Sequence, residues 1–255
     1  MITIKTEQDI EILREGGKRL AEILREVSAM VKPGVHTKDL NDRAHQLAID
    51  GGDKSAIFLY RPVGASRPYP ASICVSVNDE VVHGIPNEHN RILKEGDIVS
   101  LDMALTHRGL VTDSAVTVPV GKIDEKLEKL LKDTQKALDY GISAAQSGKH
   151  VGDIGYAVER FIRPLGYGLV EDLCGHGVGY KVHEDPFVPN FGNKGQGEKL
   201  RPGMVIAIEP MVNMGTGRIK LDSDDYTYRT QDGQASAHFE HTIVITKAGP
   251  EILTI

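Results

Sequence analysis

The chain has 255 residues with 30 Lys and Arg, 36 Asp and Glu, a net charge of −6 and 40% hydrophobic residues. At about 150 residues per domain this allows one or two domains. The acidic balance argues against a protein whose main task is gripping nucleic acid or an anionic membrane. Its 2 cysteines, Cys74 and Cys174, stand far apart without a CxxC, which excludes a disulfide framework and a thiolate zinc site.

The start MITIKTEQDI lacks the basic stretch and apolar run of a signal peptide. No apolar run approaches the roughly 20 residues that a membrane helix needs. A cytoplasmic protein without a membrane role is therefore expected. Thr6 is placed to cap a helix whose first turn holds Glu7 and Asp9. Ile10, Leu13, Gly17, Leu20, Leu24, Val27 and Val31 follow at helical spacing, and Pro33-Gly34 ends the run. A second helix is predicted over 37–49, and strands over 71–77, 97–105 and 110–118. The loop 61–70, with three prolines, reads as a surface turn near a site. Then the order restarts, with helices over 125–145 and 153–162 and strands over 204–212, 226–230 and 237–246.

Individual residues recur with that order. Gly34, His36, Asp39 and Leu40 return as Gly148, His150, Asp153 and Ile154, and Leu93, Gly96 and Asp102 return as Leu200, Gly203 and Glu209. Two copies of an αα-plus-antiparallel-sheet unit are expected, joined as one pseudo-twofold α+β domain over 1–255.

Alternate strand residues share a face. Ser100, Asp102 and Ala104 then face away from Val99, Leu101 and Met103, and Glu209 shares a face with Ala207. Each half places a carboxylate within an apolar strand, where an unpaired charge is costly and needs a partner. The lysines and arginines cluster elsewhere, so the expected partner is metal. Asp102, Asp113, His176, Glu209 and Glu240 are the candidates. Four carboxylates balance two divalent cations, and oxygen-rich ligands with one imidazole suit Mn, Fe, Co or Zn in a dinuclear hydrolytic centre.

Competing readings are weaker. Gly175-His176-Gly177-Val178-Gly179 is glycine-rich like a phosphate loop, but no helix start follows. His183-Glu184-Asp185-Pro186 is not HExxH, and no GxSxG occurs. His36, His45, His89, His107, His150, His238 and His241 have no motif context, and alone His83 and His183 could be core histidines.

Taken together, the motifs have a family likeness. Val82-His83-Gly84-Ile85-Pro86, the run from Gly96 to Asp102, Asp113-Ser114, Gly175-His176-Gly177, His183-Glu184-Asp185-Pro186, Ile208-Glu209-Pro210-Met211 and Phe239-Glu240-His241-Thr242 closely resemble the type I methionine aminopeptidases. The resemblance spans nearly the whole chain. It implies the pita-bread fold, antiparallel sheets flanked by helices around a central metal site. It also implies removal of an initiator methionine when the second residue is small, by attack of a metal-bridging hydroxide. By the same resemblance Asp102, Asp113, His176, Glu209 and Glu240 are the ligands of two divalent ions, and Glu209 is also the general base. His83 contacts substrate at the scissile amide and His183 steadies the carbonyl oxygen. Tyr69, Cys74 and Tyr226, with both histidines, bind substrate, and the backbone carbonyls of Asn78, Glu80 and Ser236 hold a monovalent cation. This sequence departs from the family at Val182, where bacterial relatives often carry Phe, and at Tyr226, where a Trp is often found, which implies a differently shaped methionine pocket. The implied partners are N-termini of nascent polypeptides, with association to the ribosome and a monomeric state. A Xaa-Pro pita-bread peptidase and a non-catalytic pita-bread module remain as alternatives.

Overall fold

The computed structural model describes residues 2–62, 64–88 and 90–255. Val63 of the loop 61–70 and His89 lie outside the described residues. Among the described residues there are four α-helices, α1 (Glu7–Met30), α2 (Thr37–Asp50), α3 (Glu125–Ala144) and α4 (Val151–Ile162). None is long and apolar enough to cross a membrane.

Thr6 and Asp9 close a reciprocal capping box at the start of α1, each side chain bonding the other's backbone N–H. The apolar stripe of α1 buries Leu13, Leu20, Leu24 and Val27, each of which gains about 1.5–3 kcal/mol from leaving water. Leu20, Leu24 and Val27 join Leu40 and Ala44 of α2 in one core with Val99, Leu101 and Met103. The other half repeats the arrangement. Leu130 and Leu138 of α3, with Ile154 and Val158 of α4, pack on Ile206, Ile208 and Ile243.

The two helical layers cover a curled antiparallel sheet. Its centre runs in the order Ile98–His107, Leu110–Pro119, Glu240–Thr246, Val205–Ile208, so two strands of the first half meet two of the second. The join pairs Ala115 with Glu240 and Ser114 with His241.

Backbone bonds make the duplication explicit. Gly34 N–H donates to the Leu93 carbonyl at 2.8 Å, and Gly148 N–H to the Leu200 carbonyl at 2.9 Å. His36 bridges Ile92 as His150 bridges Lys199. Gly34 and Gly148 both take positive φ, +90° and +86°, a conformation that glycine adopts without strain. The recurring glycines mark turns that each half needs.

The predicted elements hold with four physical adjustments. The strand predicted over 226–230 is only Tyr228–Thr230, because the N–H groups of Tyr226 and Thr227 donate to Asp224 Oδ1. Strand 71–77 is shorter, Cys74–Val77, because side chains engage the backbone of Ser72, whose N–H donates to Asn41 Oδ1 and whose carbonyl accepts from Ser55 Oγ. The helix predicted over 153–162 starts at Val151, with His150 as its cap residue. The strands predicted over 204–212 and 237–246 are each broken. Val205–Ile208 and Glu240–Thr246 belong to the central sheet, while Met211–Asn213 and Ser236–His238 pair with each other in a separate three-stranded sheet. Pro210 lacks the N–H that a ladder requires, so the first of these strands changes sheets at Glu209-Pro210, and its partner changes sheets at Phe239.

Candidate metal centre

That change of sheet builds the centre of the molecule. Asp102 and Glu240 are both paired with Ala115, one on each side, and Asp113 lies two residues before it on the same face. Glu209 enters at the kink after Val205–Ile208. His176 comes from the strand Cys174–Gly177 beside it. The glycines around His176 are there for packing. A Cβ on Gly175 would strike the Ala207 carbonyl, and one on Gly177 the Asp185 carbonyl. Only bare backbone lets that strand lie close enough for the imidazole to reach the carboxylates.

The five predicted ligands, with His83 and His183, line one cavity of about 250 Å³. The tightest set is Asp113, His176 and Glu240, whose ligand atoms lie within 4.8 Å of one another. His176 Nε2 is 3.5 Å from Glu209 Oε1 and 4.0 Å from Asp113 Oδ2. Among the described residues no lysine or arginine lines the cavity. Asp113 Oδ1 and Glu240 Oε1 are buried without a hydrogen-bond partner. A buried carboxylate left so is costly unless a cation is supplied, and the donor set of four carboxylates and one imidazole suits divalent metal.

The electrostatics point the same way. Burial first, and Asp113 second, push Asp102 up to about 8. Burial, then Glu209, pushes Asp113 up to about 7. Burial pushes Glu209 to about 8 and raises Glu240 as well. The same desolvation lowers His83 to about 4 and His176 to about 3, so both imidazoles are neutral near pH 7.

His83 is held with φ +60°, a left-handed conformation that costs a non-glycine residue about 1–3 kcal/mol. His183 is exposed at the rim, its ring 4.5 Å from that of His176 and its Nδ1 3.5 Å from the Tyr60 hydroxyl. Next to the acidic cavity lies a second, of about 480 Å³, lined by Tyr69, Cys74, Val182 and Tyr226, and sharing His83, Asp102, Asp113 and His183 with the first. Tyr69 and Tyr226 meet edge to face at 5.1 Å. Tyr69 OH donates to the Gly84 carbonyl at 2.8 Å. Pro62, Gly64 and Ala65 of the loop 61–70 form part of its wall.

The three residues expected to hold a monovalent cation stand outside both cavities. The Asn78 carbonyl accepts the Ser236 N–H at 2.9 Å, and the Glu80 carboxylate is engaged by Arg91 and Arg229 at 2.9 and 2.7 Å. Both cysteines are free thiols. Of the histidines without motif context, His36 and His150 precede α2 and α4, His45 bonds Ser72, His107 bonds Asp53 and His241 bonds Thr254.

His238 differs from these. It is 1% exposed, and its Nε2 lies 3.4 Å from Glu209 Oε2. Sequence reasoning passed over it, although it stands two residues before Glu240 and so has strand spacing to a candidate ligand.

Residues 11–247 match the model of metallopeptidase family M24. The chain belongs to that family. The M24 chain is 44% identical over 256 residues to the methionine aminopeptidase of Clostridium acetobutylicum, covering 100% of this chain and 99% of that one. It superposes on the crystal structure of methionine aminopeptidase from Rickettsia prowazekii with TM-score 0.95 and 38% identity, over 100% of both chains. The prolidase of Pyrococcus horikoshii OT3 has TM-score 0.77 at 22% identity, with 99% of this chain and 63% of that chain covered, which shows a shared fold. The architecture of this M24 chain is the pita-bread fold, with its two related halves around the acidic cavity.

Proposed function

We propose that this M24 chain is a methionine aminopeptidase, releasing the N-terminal methionine from polypeptides whose second residue is small. The observation that carries the reading is the meeting of the two cavities at His83, His183, Asp102 and Asp113. A peptide whose first side chain fills the apolar cavity presents its first peptide bond to the acidic one.

Asp102, Asp113, His176, Glu209 and Glu240 are the residues that would hold two divalent ions, drawn from Co, Mn, Fe and Zn. Such ions, when bound, acidify the attacking water and polarise the scissile carbonyl. Glu209, as a carboxylate beside the ions, takes the water's proton and passes it to the leaving amine. Neutral His83 has an N–H to offer the scissile amide. His183, at the rim, has one for the carbonyl oxygen as charge develops there. The edge-to-face pair Tyr69 and Tyr226, with Cys74, surrounds a thioether, a group that packs well on aromatic edges.

Within this reading the substrates are the N-termini of nascent chains, met in the cytoplasm at or near the ribosome by a monomer of one catalytic domain over 1–255. The backbone carbonyls of Asn78, Glu80 and Ser236 serve as a monovalent-cation site. Titration with K⁺ and sedimentation of the purified chain test the last two points. The Xaa-Pro peptidase alternative is weaker, because its solved relative shares the fold at 22% identity whereas methionine aminopeptidases match from end to end.

The deciding experiment compares Met-Ala-Ser with Xaa-Pro peptides across Mn, Fe, Co and Zn. Methionine release with metal and none after chelation is expected. Cleavage of Xaa-Pro alone would overturn the reading.

A further inference from the structure

The Glu209 carboxylate stands between two imidazoles. His176 Nε2 is 3.5 Å from Oε1, and His238 Nε2 is 3.4 Å from Oε2. The first is a candidate ligand. The second has no role in the chemistry described above, yet it is 1% exposed and, among the described residues, neither ring nitrogen has a hydrogen-bond partner. A fully buried imidazole with two idle nitrogens is uncommon in a folded protein, and each such group calls for an explanation.

The backbone around this pair is fixed. His238 N–H donates to Thr117 Oγ1 at 2.9 Å, and the same hydroxyl donates to the His238 carbonyl at 2.7 Å. Thr117 is in turn 2.8 Å from Ser100 Oγ, in the strand that carries Asp102. On the other side, Asn190 Nδ2 donates to the Glu209 carbonyl at 3.0 Å. The main chains of Glu209 and His238 are also neighbours, since His238 pairs with Met211 just past the kink. What is not fixed by backbone is the rotation of the Glu209 carboxylate. His238 is the group placed to fix it.

We propose that His238 is a positioning residue for Glu209. Its Nε2–H is placed to donate to Oε2 as the contact tightens, which holds the carboxylate plane and directs Oε1 toward His176 and the remaining carboxylates. This deepens the function proposed above and rests on that reading of Glu209. Contacts at 3.4 Å of this kind commonly tighten once a site is filled.

The test uses purified H238A and H238Q, read two ways. Calorimetric titration with Co(II), together with the visible spectrum of the bound ion, needs no peptide. Steady-state release of methionine from Met-Ala-Ser gives kcat and KM separately. Loss of a group that orients a ligand costs about 10–100-fold in metal affinity or activity. H238A is therefore expected to weaken Co(II) binding and lower kcat on that scale with little change in KM. H238Q, which keeps an N–H donor at similar reach, is expected to restore most of both. Should H238A fail to fold, H238N, polar but one methylene shorter than Gln, takes its place and is expected to behave as the loss. Unchanged Co(II) binding and kcat in the loss variant would overturn the assignment. So would equal impairment in H238Q, the sign of a direct ligand or of a purely structural residue. A wild-type chain that binds no Co(II) instead overturns the proposed function itself, so the two failures are told apart.

Discussion

Asp102 and Glu240 lie on one row of the central sheet with only Ala115 between them, paired to both. One carboxylate comes from each duplicated half, and the row crosses the join. Like charges brought this close in a buried place repel, and a methyl side chain on the shared face leaves the room in which cations can sit. Ala115→Val adds two carbons to that space. Overpacking a tight site costs about 1–3 kcal/mol, and here the displaced groups are the ligands. Metal affinity measured by calorimetry is expected to fall at least tenfold. A variant that keeps wild-type affinity would show that the row is not the metal cradle.

Glu209→Gln tests the proton carrier. The amide has the shape of the carboxylate, and Asn190 still holds the backbone at this position. The thermal midpoint of the metal-free protein should move little. Turnover of Met-Ala-Ser should drop by at least the 10²–10⁴-fold typical of general acid–base groups, and further if a ligand is lost with it. Near-normal release in a metal-replete Glu209→Gln protein would sink the assigned role.

Much of this was legible in the sequence because the chain states it twice. Gly34 and Gly148, Gly96 and Gly203, Asp102 and Glu209 recur at fixed offsets, and period-two alternation assigns the carboxylates to a face. The helices were readable for the same kind of reason, since their apolar stripes are long. What hid was short or shared. The strand Cys174–Gly177 has too few side chains to show alternation, since two of its four residues are glycines required for close backbone approach. The breaks at Glu209-Pro210 and Phe239 fall inside apolar runs that read as continuous strands, and only pairing with the separate sheet reveals them. His238 escaped because a histidine read alone has no pattern; its meaning comes from Glu209, which is distant in sequence.

Val182 is 7% exposed and lines the apolar cavity beside His183. Val182→Phe would fill part of that space and narrow the room for the first side chain. One methylene in a hydrophobic pocket is worth about 1–3 kcal/mol of discrimination. The preference for Met-Ala-Ser over the ethionine peptide, measured as a ratio of kcat/KM, is expected to rise about tenfold in the variant. An unchanged ratio would mean that Val182 does not face the bound side chain.

The carboxylates also predict how the metal-free protein responds to pH. Asp102, Asp113 and Glu209 are pushed to about 8, 7 and 8 in the fold, well above their ordinary values. The folded state therefore holds protons that the unfolded state has released, so stability is lost as pH rises through the folded values. The lowered histidines work in the opposite sense, since His83 and His176 are neutral in the fold while unfolded imidazoles bind protons. That opposition fades above about pH 6.5, as unfolded imidazoles lose their protons. Between about pH 7 and 8 the carboxylates dominate, and the thermal midpoint after chelation should decline. Mn(II) requires deprotonated ligands, so the midpoint gained on adding it should grow across the same interval. A metal-free midpoint that rises with pH there, or a Mn(II) gain that shrinks, would show that these carboxylates are not the charges that the metal relieves.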